Sequence, residues 1–167
     1  MKIAIGSDHA GFERKKEVIA FLSKTGHKVV DVGCYSEESC DYPDYARKVA
    51  RAVSLSRVER GILVCGTGIG MCMAANKFQG VRAAVCWNPK SAALASEHNQ
   101  ANVLCLSGRL VPPVTIPKIV QAWLKTPFAG GRHLRRIKKI GQFESAPRVV
   151  DDPLRGRRPI RREASAC

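Results

Sequence analysis

Apolar runs of strand length alternate with helix-like segments five times along this chain. That alternation constrains the fold more than any other feature. KIAIG (2–6), HKVVDVG (27–33), RGILVCG (60–66), VRAAVCW (81–87) and ANVLCLSG (101–108) read as strands. Gly11–Lys24 reads as an amphipathic helix with Phe12, Val18, Ile19 and Leu22 on its apolar side, and Gly26 is its stop. Pro43 suits the first turn of a helix running to about Leu55. Further helices are expected over Gly70–Lys77, Pro89–Asn99 and Thr115–Leu124, with a basic helix over Gly131–Phe143. Strand–helix alternation of this kind implies an α/β fold with a five-stranded parallel sheet and helices on both faces.

The length of 167 residues suits one such domain. No apolar run reaches the length of a membrane span. The opening MKIAIGSDHAGF turns polar after a few residues and is not read as a signal peptide, so a cytoplasmic protein is expected. The seven cysteines include no CxxC pair. Their odd number in a chain of this size argues against a disulfide framework, and zinc-finger spacing is absent. The formal net charge is +14, of which +7 lies between Arg132 and Cys167, where eleven Lys/Arg face four Asp/Glu. A domain over 1–146 followed by a basic, Pro- and Arg-rich tail over 147–167 accounts for that split. Such a tail is expected to be disordered and suited to polyanions.

In a parallel sheet, ligands bind outside the carboxyl ends of the strands. Asp8 and His9 follow the first strand, Cys65 to Gly70 the third, and Gly108 and Arg109 the fifth. His98 and Asn99 close the fourth helix, and all these positions are expected to converge on one crevice. In GTGIG (66–70), glycines let backbone N–H groups turn toward one point at a helix start, which suits a phosphate or an oxyanion. The same glycines also suit a plain tight turn. Cys65 sits where such a field would favour a thiolate able to act as base or nucleophile; the alternative is a small buried hydrophobe. Asp8 and His9 suit a polar substrate, or a helix cap. Arg132 and Arg136 stand at i and i+4 and make a fork for one phosphate, or a solvated basic face.

Taken together, IAIGSDHAGF, DYPDYA, GILVCGTGIGMCMAANK, EHNQANVLCLSGR and GGRHLRRIKKI resemble the type-B ribose-5-phosphate isomerase family, which includes galactose-6-phosphate isomerase subunits. The resemblance covers residues 1–145. It implies a Rossmann-like three-layer sandwich and a homodimer or tetramer with active sites at the dimer interface. It also implies aldose–ketose isomerisation of ribose 5-phosphate and ribulose 5-phosphate through an enediolate, with no metal and no cofactor. By the same resemblance Cys65 is the base, His98 the acid that opens the sugar ring, and Thr67 lies near that step. Asp8, His9, Gly66, Thr67, Gly68, Ile69, Gly70, Asn99, Arg109, Arg132 and Arg136 match substrate-binding positions, and Tyr42 and Asp44 fall in the matching DYPD segment. Two departures stand out: LSGR replaces LGAR before Arg109, and Trp87 follows the fourth strand. The alternatives are a six-carbon sugar phosphate as substrate, or a basic nucleic-acid-binding module.

Overall fold

A computed structural model describes residues 1–145, so the tail expected over 147–167 lies outside the described residues. The chain runs β1 (Lys2–Ser7), a 3₁₀ turn (His9–Gly11), α1 (Phe12–Lys24), β2 (Lys28–Asp31), α2 (Tyr42–Ser54), β3 (Arg60–Cys65) and α3 (Ile69–Ala75). It continues through β4 (Ala83–Val85), α4 (Pro89–Asn99), β5 (Val103–Ser107), a second 3₁₀ turn (Pro113–Thr115), α5 (Ile116–Lys125) and α6 (Gly131–Ser145). All five strands pair in parallel, in the order β2-β1-β3-β5-β4. The expected α/β architecture is present. The strands expected over 27–33 and 81–87 are shorter, at Lys28–Asp31 and Ala83–Val85. Both are edge strands with a neighbour on one side only, so their ladders end sooner.

Side-chain alternation along each strand fills two separate cores. Ile3, Ile5, Ile62, Val64, Leu104 and Leu106 face α1, α4 and α5, where Val18, Leu22, Ala92, Ile119 and Trp123 meet them. Ala4, Leu63, Cys65, Val103 and Cys105 face α2 and α3, where Val49, Ala50, Met71 and Ala75 meet them. Strands covered on both faces therefore read as continuous apolar runs. At the amino ends of the strands, the Arg60 guanidinium donates to the Trp123 carbonyl at 2.9 Å and lies 4.6 Å from that indole. Ser96 Oγ donates to the same carbonyl at 2.6 Å, which ties α4 to α5. Among the described residues no helix is long and apolar enough to cross a membrane.

The chain leaves β1 for the outer β2, then returns past β1 to β3. The first 3₁₀ turn is pressed directly onto the strand ends at that reversal. A Cβ at Gly11 would sit 2.3 Å from the Val64 carbonyl oxygen, and one at Gly108 2.5 Å from that of Ala10. Backbone cannot yield as a flexible side chain can. Gly11→Ala is expected to cost about 1–3 kcal/mol by overpacking. Gly26→Ala, at φ +78° with open space around it, is expected to cost about 1–2 kcal/mol, from backbone strain alone. Urea unfolding of the two variants measures the difference.

Candidate active site

The carboxyl edge of the sheet gathers one set of the candidate residues. Asp8 follows β1, and its Oδ1 accepts from the Gly11 N–H at 3.0 Å, so it does cap the 3₁₀ turn. Its own N–H donates to the Val64 carbonyl at 3.2 Å. Burial pushes the Asp8 carboxyl above its ordinary value of 3.8, and the Gly11 amide, His9 and Arg109 offset part of that rise. His9 Nδ1 accepts from the Cys40 N–H at 3.2 Å, which sets the tautomer and ties the 34–41 loop to β1.

Cys65 ends β3 with 4% of its surface exposed. The Gly68 N–H donates to its Sγ at 3.1 Å. Gly68 has φ +84°, and a Cβ there would stand 2.8 Å from Val85 Cγ2, so both conformation and space demand glycine. The Ile69 N–H donates to Thr67 Oγ1 at 3.2 Å. Two amides of the GTGIG turn are therefore directed at Cys65 and Thr67 inside the turn, which differs from the expectation that they all face one external anion. The Arg109 side chain lies over Gly66, 3.6 Å from where a Cβ would be, and the Tyr42 ring covers Gly70. Tyr42 and Asp44 open α2 on this edge. Ser107, the departure in LSGR, ties the pieces together. Its Oγ donates to the Gly66 carbonyl at 2.7 Å and accepts from the Arg109 and Leu110 amides at 3.3 and 2.8 Å. The Trp87 Nε1–H donates to the Thr67 carbonyl at 3.3 Å.

His98 and Asn99 are elsewhere. α4 runs antiparallel to the strands, and its last turn lies at their amino ends. There the Asn99 carbonyl accepts from Arg82 Nε at 3.1 Å, and the Gln100 carbonyl from Arg82 Nη2 at 2.9 Å. The His98 ring stacks on His133 of α6 with centroids 4.2 Å apart and planes within 6°. Burial, together with His98, Arg132 and Arg136, holds the His133 imidazole below its ordinary pKa. Arg132 and Arg136 belong to this second cluster on α6. The expectation that every candidate converges on one crevice is thus corrected for the single chain. Six strand residues at about 3.3 Å each separate the two edges by roughly 20 Å. His133 was missed by sequence reasoning, although it adjoins Arg132 in GGRHLRR. Stacking leaves no spacing signal.

Comparison with known proteins gives the family and the fold. Residues 3–140 match the family described as Ribose/Galactose Isomerase. Ribose-5-phosphate isomerase B of Escherichia coli is 48% identical over 143 residues, covering 86% of this chain and 96% of that protein. The solved structure of the Clostridium thermocellum ribose-5-phosphate isomerase B is 51% identical with a TM-score of 0.85, covering 86% of this chain and 97% of that one. That of the Mycoplasma genitalium enzyme with bound ribulose-5-phosphate is 50% identical with a TM-score of 0.83, covering 86% and 95%.

The raised pKa of Asp8 has a consequence for stability. The folded state holds this proton more tightly than the unfolded chain, so ionisation opposes folding. The penalty begins as pH rises past 3.8 and is complete above the raised folded value. Asp8→Asn keeps a capping oxygen and removes the charge. Its urea midpoint is expected to exceed that of the parent at pH 7.5, and the gain should vanish near pH 3.5. Parallel unfolding series at the two pH values measure it.

Proposed function

Because the chain belongs to the ribose/galactose isomerase family, we propose that it interconverts ribose 5-phosphate and ribulose 5-phosphate in the cytosol, without metal, with Cys65 as the base. The observation that carries this reading is Cys65 Sγ at the sheet reversal with the Gly68 N–H upon it, in a chain half identical to a protein solved with ribulose-5-phosphate. In the aldose-to-ketose direction the Cys65 thiolate takes the proton from C2. The electron pair moves into the C1–C2 bond, and the carbonyl oxygen on C1 gains charge. A proton passes from the C2 hydroxyl to the C1 oxygen, the C2 carbonyl forms as the C1–C2 double bond is lost, and the thiol returns its proton to C1, which completes the ketose. A thiolate formed at Cys65 keeps the Gly68 N–H as its partner, and Arg109 over Gly66 supplies positive charge beside the enediolate. Asp8, His9 and the 66–70 turn hold the sugar hydroxyls.

Ring opening by His98 with Thr67, and phosphate binding by Arg132 and Arg136, require the second cluster to approach the first. The separation of about 20 Å within one chain supports a site shared between two copies. In such a homodimer the amino edge of one copy, with His98, Asn99, Arg132 and Arg136, faces the carboxyl edge of the other. Cys65→Ala is expected to lower turnover about 10²–10⁴-fold, and His98→Asn to slow ring opening. Mixing these two inactive variants is expected to restore activity, because one site per heterodimer then carries neither lesion. The tag-purified heterodimer measures this; an inactive one would place both residues in one site-forming chain.

A six-carbon sugar phosphate is the alternative substrate, since the matching family spans ribose and galactose isomerases. A coupled assay across pentose and hexose phosphates in the presence of EDTA decides between them. Ribose 5-phosphate is expected to lead by about tenfold or more in kcat/KM, with no loss on chelation.

A further inference from the structure

The peptide group between Thr67 and Gly68 is held at both ends. Its carbonyl accepts from Trp87 Nε1 at 3.3 Å, and its N–H donates to Cys65 Sγ at 3.1 Å. Indole, peptide and sulfur form one chain of hydrogen bonds running from the end of β4 to the end of β3. Carbonyl and N–H of a trans peptide point in opposite directions, so whatever fixes one fixes the other. This peptide needs fixing. Glycine populates positive and negative φ with similar ease, so Gly68 by itself does not hold the plane at φ +84°. Rotation of the plane would carry the N–H off the sulfur. Donation to the carbonyl also polarises the peptide and strengthens the bond made by its N–H. Half of the Trp87 surface is exposed, so the indole contributes little to the core, and the core does not account for a tryptophan here.

We propose that Trp87 is a positioning residue for Cys65, acting through the Thr67–Gly68 peptide to keep an N–H on the sulfur. The inference rests on the reading of Cys65 as the base. Trp87 need not touch the sugar. It sets the donor that faces the thiolate, which matters for proton transfer and little for holding the sugar phosphate.

Trp87→Phe keeps an aromatic ring and removes the donor. It is expected to lower kcat about three- to tenfold with KM changed less than about twofold. Thermal unfolding should stay within about 2 °C of the parent, since the side chain is half exposed. In proton–nitrogen NMR spectra the Gly68 amide proton should move upfield as its bond to sulfur weakens. An unmoved Gly68 amide, or a kcat equal to that of the parent, would overturn the inference. So would a loss of kcat that merely follows a loss of thermal stability. Cys65→Ala separates this from the function itself. If that variant turns over normally, the base assignment fails, while the Gly68 resonance in Trp87→Phe still reads the hydrogen-bond chain directly.

Discussion

Three backbone segments meet with no side chain between them at the carboxyl ends of β1, β3 and β5, and the site depends on that contact. Gly11 lies against the Val64 carbonyl and Gly108 against that of Ala10. The Asp8 N–H reaches Val64, the Gly108 N–H reaches Cys65 at 2.8 Å, and the Arg109 N–H reaches Gly66 at 3.2 Å. The glycines allow the approach, and the hydrogen bonds keep buried backbone groups paired. Asp8, His9, Cys65 and Arg109 stand close together because their backbones do. An interior packed like a crystal transmits any displacement of one segment to the others.

Most of the fold was legible because each element has its own periodicity. α4 runs over Pro89–Asn99 as read, since Asn88 accepts from the Ser91 N–H and Pro89 starts the helix. The ladders of β2 and β4 were over-read because apolar content signals burial, and an edge strand can be buried beyond its last paired residue. The site was legible only in part. Motif positions at strand ends follow from the parallel topology, so the Cys65 turn and Arg109 could be placed. The end of α4 could not be gathered with them, because a helix returning antiparallel to its strand delivers its last turn to the far edge. Trp87 stood out in the sequence but its hydrogen bond to the Thr67 carbonyl did not, and the ring stack of His133 leaves no pattern there.

The thiol and the turn beside it look different in the structure from what glycine content alone suggests. Glycines that could open amides to an anion instead turn two of them inward, on Cys65 Sγ and Thr67 Oγ1. Under the proposed function this arrangement serves the base more than a ligand phosphate, and it leaves the positive charge of the sugar site to Arg109 and to the arginines of α6. Ser107 shows how a departure in sequence can add order. Its hydroxyl makes three hydrogen bonds across the gap between the GTGIG turn and the Arg109 loop. A residue without that hydroxyl leaves the Gly66 carbonyl with one partner fewer.

The separation of the two clusters is a consequence of topology. In an open parallel sheet every strand ends on one edge and every crossover helix ends on the other. A chain of this size has only the sheet's own length between them, about 20 Å. Chemistry that needs a thiolate near C2 and a guanidinium pair on a phosphate a few bonds away cannot use both edges of one copy. A two-fold axis resolves the mismatch, because it sets one copy's amino edge against the other's carboxyl edge and does so twice. In the proposed dimer, one self-complementary surface makes two sites, and neither copy alone makes any. Burial of His133 against His98 within the chain then has a clear purpose. The second cluster is already ordered before the copies meet, and less conformational freedom is lost when the site closes.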